Sequence, residues 1–549
     1  MSAPRRACTR QDGMGALLGA WSSLALAVLV FAAPRATAAS GADPNPLPPD
    51  TLTVPMRELG RFGGRFVIGQ TAGPKTFNAL VANEQNSNEI CDRLYLSLTD
   101  YDNAAQRDVP AAAKSWTWSK DRRTLTFTVT TPRPTVVLLS AASAVRIMPR
   151  HVLEAAWKAG KYASAYSLDT PPAQLVTSGP WRVQRFEPGQ MLVLERNPYW
   201  FGVDAKGRRL PYLDNLVFVF VQDQNAAAMK FHAGELDAVD NVRPEDYRGY
   251  ADAREREHFT LYDVGPSLNT NFLWFNCNLK PDGEPSAGRV RYAWFSNPVF
   301  RRAISKAIDR DALIRGPFHG YAIKNWSVLT RGNKVWFDST IVHDDYDPAG
   351  AKRLLASLGF RDRNGDGVLE DAGGNPVSFS ITTNSDNTIR QAMLTLIADD
   401  LMKVGVRATA APIEISSMVQ HIRNDLQYEA CLGGLGAATP PDPGMYANVF
   451  KSSGITHYWH VRQARPSTPA EVRLDQLFEQ NTYATDLATR HRTYHEMAQL
   501  MGQQTWFVWL PSQIIKVPVR SKFGNVQPTV IPHRIIWNVD RIFVRPGSD

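Results

Sequence analysis

From residue 177 the chain reads TSGPWRVQRFEPGQMLVLERNPYW. Apolar and polar positions alternate through Trp181 and Val183 toward Phe186, break at Pro188-Gly189, and resume through Met191 and Val193 toward Glu195. A period of two interrupted by a Pro-Gly turn predicts an antiparallel hairpin. SWTWSKDRRTLTFTVTT (115–131) repeats the pattern, while GGRFVIGQ (63–70) and LDNLVFVFVQD (213–223) read as strands. TFNALVANEQNSNEICDRLYLSLTDYD (76–102) predicts a loop, a helix and an aromatic-bearing segment. In NAAAMKFHAGELDAVD (225–240), Ala228, Phe231 and His232 fall at helical spacing before Gly234 turns the chain into a short strand.

The period lengthens to 3.6 in SNPVFRRAISKAIDRDALI (296–314). Asn297 is placed to cap this helix, Pro298 suits its first position, and Phe300, Ala303, Ile304, Ala307 and Ile308 make one apolar face. Arg301, Arg302 and Lys306 fall off that face and read as solvated. Residues 377–412 give strand, helix (Ile389, Met393, Leu396, Ile397 and Leu401 inward, ending at Gly405), strand. That unit favours parallel pairing through a right-handed crossover. Two more helices, PAEVRLDQLFEQ and LATRHRTYHEMAQLMGQQ, precede closing strands around WFVWLP, IIKVPVR and IIWNVD.

The 549 residues exceed one compact core, so two or more lobes are expected. The N-terminus has the three parts of a secretory signal: Arg5, Arg6 and Arg10, an apolar run at 15–33, and Ala36-Thr37-Ala38. A signal peptide is therefore expected at 1–38 and a flexible Pro-rich leader at 39–60, giving an exported chain. The net charge of +8, less +3 for four Arg against Asp12 in 1–38, leaves +5 spread along the sequence. That spread reads as solvated surface and excludes a nucleic-acid footprint. Cys91, Cys277 and Cys431 are far apart, with no C-x-x-C, and read as buried thiols.

No G-x-S-x-G elbow, H-E-x-x-H, Walker loop or dinucleotide fingerprint is present. GGLGAAT (433–439) does not lead into a helix, which disfavours phosphate binding. DRNGDGVLEDAGG (362–374) begins like a calcium loop: Asp362, Asn364 and Asp366 alternate, Val368 offers a carbonyl, and Glu370 or Asp371 stands in for the closing Glu. A polar turn rich in Asn, Asp and Gly accounts for the same residues. A bound Ca2+ there would be structural.

Five segments, in order, resemble the family 5 extracellular solute-binding proteins of bacterial ABC transporters, which include oligopeptide- and dipeptide-binding proteins. They are KTFNALVANEQNSNEICDRLYLSLTDYD, VPAAAKSWTWSKDRRTLTFTV, SGPWRVQRFEPGQMLVLERNPYW, MKFHAGELDAVD and NPVFRRAISKAIDRDALI. The resemblance implies an α/β, two-lobed periplasmic binding protein fold of the class II, or cluster C, type: mixed sheets flanked by helices, with a cleft between the lobes. On that frame lobe I is 61–270, lobe II 271–512, and 513–549 returns to lobe I; NTNFLWFNCN (269–278) and WFVWLPSQIIKVP (506–518) are the expected crossings. Two departures stand out. The family's F-x-D-G-x-P-x-T-A-x-D-V segment is missing after TLTFTV, which shortens the N-terminal subdomain. The family's amine-anchoring Asp before an acidic-Pro pair is here Thr439, ahead of Asp442-Pro443.

The function implied is binding without catalysis: capture of a small solute, a peptide or oligosaccharide, by a monomer that delivers it to a membrane permease, with no nucleic acid. Candidate ligand residues are Thr76, Asn78, Trp326, Gly434, Leu435, Gly436, Thr439, Asp442 and Trp459. Core packing is the competing account of each Trp, and turn or cap chemistry that of Thr76 and Asn78. A degenerate binding fold serving as chaperone or sensor partner, and a secreted hydrolase, are the alternative functions.

Overall fold

The computed structural model describes residues 45–48 and 51–547, except 83, 114, 119–124, 129–145, 241 and 485; for 110, 115–118 and 125–128 it describes the backbone alone. The expected signal peptide and the site of the missing family segment lie outside the described residues. Leu47–Asp549 is one unit built on two large sheets.

Arg65–Gln70 lies inside the first sheet, parallel to Asn215–Phe220 on one side and Ala238–Val239 on the other. The order continues through Met191–Arg196 to Trp181–Glu187 at one edge, and through Ser512–Arg520 to Phe259–Pro266 at the other. The Pro-Gly hairpin is therefore an edge pair. Its register slips between Val183 and Arg185, a bulge that explains why Trp181, Val183 and Phe186 depart from strict alternation. Simple alternation fails in the returning strand: Leu192, Val193 and Leu194 are all buried. The sheet is covered on both faces, with Leu192 and Leu194 in one core and Val193 in the other.

The second sheet runs Arg407–Ile413, Ser378–Asn384, Ala430–Leu435, Thr270–Phe275, Val508–Leu510. Ser378–Asn384 and Arg407–Ile413 pair in parallel across the helix Thr388–Met402. Along Thr270–Phe275, Phe272 and Trp274 enter one core while Leu273 and Phe275 enter the other. The chain passes between the sheets at 266–270 and again at 510–512.

Four expectations change. The helix at 296–314 is two, Pro298–Ala307 and Arg310–Arg315, because Asp309 caps the second by accepting from Ala312 N. Arg301 is buried rather than solvated, its guanidinium donating to the carbonyls of Phe295 and Gln504. IIWNVD forms the 3-10 turn Ile536–Arg541 instead of a strand, with Arg93 donating to the carbonyls of Ile536 and Trp537. In the stretch read as a flexible leader, Leu52–Thr53 pairs with Gly202–Val203 and Val54 packs against Trp200 and Tyr212. Cys91, Cys277 and Cys431 are free and buried, and burial pushes the Cys277 thiol up to about 11.

Candidate solute site

Ligands of open α/β sheets approach the carboxyl ends of parallel strands, where the following loops and helix N-termini leave unpaired groups. In the second sheet those ends are Asn384, Ile413 and Leu435. The loop from Leu435 holds exposed Gly436 and Thr439, and the Thr439–Pro440 peptide is cis. Gly434 is obligatory: a Cβ there would lie 2.2 Å from Arg390 Nη2 and 2.4 Å from the Thr270 carbonyl.

Arg390 sits in the first turn of Thr388–Met402, whose N-cap Asn387 accepts from its backbone N–H. Its Nε donates to Asn271 Oδ1 at 3.1 Å and its Nη1 to Asn384 Oδ1 at 2.9 Å. Asn271 in turn donates to the Pro511 carbonyl in the crossing segment. Among the described residues Nη2 has no acceptor and no carboxylate pairs with this guanidinium, although the charge of Asp386 acts on it. Burial lowers its pKa. A cation in a helix's first turn opposes the helix dipole, so this placement asks for an anion. Sequence reading passed over Arg390; a basic residue two positions into a capped helix that follows a strand was the available signal.

Asp442 answers the amine-anchor question differently from the sequence. Its carboxylate takes two bonds from Arg490, Nη1 at 2.8 Å and Nη2 at 2.5 Å, and caps Gly444 N. Arg490 also lies 4.7 Å over the Trp336 ring. The charge of Asp442 is thus neutralised by Arg490. Thr76 and Asn78 follow the first-sheet strand Arg65–Gln70. Thr76 accepts from Asn78 N, and Asn78 donates to the Tyr162 and Ala165 carbonyls and accepts from Leu80 N, so both hold their own loop. Trp459 is core: it stacks on Trp506 at 4.8 Å and donates to Glu471. Trp326, half-buried, stacks on His343 at 4.5 Å with the Arg310 guanidinium 4.5 Å over its ring, and lines a small cavity with Phe450, Tyr494 and Trp509.

A separate hairpin, Thr99–Asp102 with Arg107–Pro110, reaches the 332–334 loop. Gln106 donates to the Gly332 carbonyl at 3.0 Å and accepts from Lys334 N at 2.7 Å. Tyr101 packs against the cluster of Leu268, Val530 and Ile531, as Ala437 does. Its cross-strand partner Asp108 has one buried oxygen without a partner, and burial followed by the nearby charges of Asp442 and Asp100 pushes its carboxyl up to about 6.

In the 362–370 loop, Asp362, Asp366 and Glu370 bring oxygens within 4.8 Å of one another. Asp362 accepts from Gly365 N and Gly367 N, Asn364 from Asp366 N, Asp366 from Val368 N, and Glu370 from Arg363 N. These bonds make the polar turn self-sufficient and leave its carboxylates converging. Among the described residues no helix is long and apolar enough to cross a membrane.

Residues 119–457 match the model of the middle region of bacterial extracellular solute-binding proteins, family 5. A probable ABC transporter-binding protein of Deinococcus radiodurans is 27% identical over 416 residues, which are 70% of this chain and 68% of that one. The oligopeptide-binding protein AppA of Bacillus subtilis, solved with a nonapeptide, superposes with a TM-score of 0.64 at 20% identity, covering 88% of this chain and 99% of that one. MelB of Agrobacterium fabrum, solved with stachyose, gives 0.69 at 18% identity, covering 89% and 86%. Fold and family agree with the absence of catalytic motifs: the chain belongs to the bacterial extracellular solute-binding proteins of family 5, and is a solute-binding protein of an ABC importer, not an enzyme.

Proposed function

We propose that this protein, exported by its N-terminal signal and working as a monomer outside the cytoplasmic membrane, captures a peptide-like solute between lobe I (61–270 with 513–549) and lobe II (271–512) and hands it to a permease. The observation that carries the peptide-like reading is Arg390: a guanidinium without a carboxylate partner, its free Nη2 beside the crossing segment at the carboxyl edge of the second sheet. A solute carboxylate supplies the missing acceptor, and charge-assisted bonds of this kind are the strong ones. The backbone of Gly434, Leu435 and Gly436, with Thr439 beyond, borders the same edge and suits main-chain recognition of an extended solute. Asp442 contributes through Arg490 and the shape of its loop.

The test is retention of a tripeptide library with free carboxyl termini against the same library amidated. The free library is expected to bind more tightly, and Arg390→Gln to weaken it by roughly 10- to 100-fold, as loss of one charged hydrogen bond implies. Equal retention of both libraries, or an Arg390→Gln protein that binds as well as the parent, contradicts the reading.

A further inference from the structure

The carboxyl edge of the first sheet carries a buried polar cluster that no role described so far uses. Gln70 ends the strand Arg65–Gln70. Its amide nitrogen donates to Glu89 Oε2 at 2.6 Å, while its amide oxygen has no partner. Asp240 lies just past Ala238–Val239. Its Oδ2 accepts from Arg534 Nη1 at 3.1 Å, while Oδ1 has no partner. Thr529 and Arg534 close a turn through Thr529 N and the Arg534 carbonyl at 3.0 Å; Thr529 Oγ1 and Arg534 Nε have no partner. Gln70, Thr529 and Arg534 are only 9%, 7% and 8% exposed. His533, left-handed at φ +64°, stands between Glu89 at 3.6 Å and Asp92 at 3.5 Å.

One orphaned buried polar atom costs about 1–3 kcal/mol, and native folds hold few of them. Here three unpartnered acceptors, Gln70 Oε1, Asp240 Oδ1 and Thr529 Oγ1, and one donor, Arg534 Nε, belong to adjoining residues: Gln70 and Asp240 each follow the paired Gly69 and Val239, Asp240 bonds Arg534, and Arg534 closes the turn with Thr529. They occupy the edge where a ligand approaches the sheet. They also adjoin the crossing strand, since Val242, two residues beyond Asp240, accepts through its carbonyl from Gln513. Such a set is completed by a group that presents several N–H or O–H donors.

Resting on the solute-binding reading above, we infer that Gln70, Asp240, Thr529 and Arg534 form a first-lobe subsite that receives a donor-rich group of the solute. An ammonium terminus and clustered sugar hydroxyls share this chemistry. Asp240 Oδ1 suits either; a peptide's amine lets Asp240 and Gln70 accept together, opposite the anion held at Arg390.

The decisive variant is Thr529→Val, which removes only the unpartnered hydroxyl at nearly constant shape. Wild type and variant are each offered a free tripeptide library, the same library N-acetylated, and a mixture of tri- and tetrasaccharides, with bound mass read by native mass spectrometry and folding by thermal melt. The expected result is a several-fold to tenfold weaker capture by Thr529→Val, with an unchanged or higher melting temperature. Loss confined to the free library identifies the ammonium; loss confined to the saccharides identifies hydroxyls. Undiminished capture by Thr529→Val, or by Gln70→Leu tested beside it, overturns the subsite and assigns the cluster to water. A wild type that retains none of the three mixtures refutes the proposed solute class, and the subsite with it.

Discussion

A buried charge is resolved by whatever folds beside it, and three residues show this with different outcomes. Asp442 meets Arg490 and is neutralised. Arg390 meets only carboxamide oxygens and keeps a free donor. His533 meets two acids at once: burial alone would lower its pKa, but Glu89 and Asp92 overcome that and push it up to about 9. Burial alone would raise Asp92, yet the bond to His533 and the charge of Arg146 hold it well below the ordinary range. The His533 pKa is raised relative to an unfolded value near 6.5, so its contribution is complete below about pH 6.5 and disappears as pH rises through about 9. The unfolding midpoint is expected to fall by the equivalent of about 2–3 kcal/mol across that interval, and His533→Asn, which tolerates the left-handed backbone, to flatten the fall. A profile as steep in His533→Asn as in the parent would remove His533 from the account. None of these partners was legible in the sequence: Arg490 is 48 residues from Asp442, and His533 is 444 and 441 residues from Glu89 and Asp92. Residue type marked Asp442 as a candidate; only the fold supplied the cation that answers it.

At the scale of elements, local chemistry was readable wherever one pattern dominated. The hairpin turn at Pro188-Gly189, the cap at Asn297 and the strand–helix–strand unit whose helix gives way at Gly405 all follow from their own residues. Reading failed where burial on both faces erased alternation, as at Leu192–Leu194, and where a second cap inside an apolar helix pattern restarted the chain, as at Asp309. It failed too at IIWNVD, whose carbonyls are taken by Arg93 from a distant helix. Gly434 joins element to site. Adding a methyl group there drives a Cβ against the Thr270 carbonyl, which cannot move without breaking the strand pair, and against Arg390. Gly434→Ala is expected to cost about 1–3 kcal/mol of stability, as overpacking does, and to weaken capture more than an Ala at exposed Gly436, where nothing lies within 4 Å. Equal behaviour of the two variants in chemical denaturation and solute retention would contradict this placement of Arg390.

Across the whole molecule, two sheets, each covered on both faces, are joined by crossings at 266–270 and 510–512. They are bridged again by Gln106 to Gly332 and Lys334, and by Lys334 to the Ala104 carbonyl. Short crossings of this kind suit hinge motion. The order of segments made the family legible without any single strong motif, because a scaffold for binding leaves its signature in turns, caps and packing rather than in catalytic groups. The proposed solute contacts were not legible, because they join side chains from segments far apart in the sequence. The most direct measurement of the central claim is native mass spectrometry of the exported protein, followed by denaturing release and identification of any bound small molecule. The account predicts one solute per chain, carrying a carboxylate and a donor-rich opposite end, as a short peptide does. A protein that is empty, retains no peptide from a library and shows no thermal shift with one would contradict it.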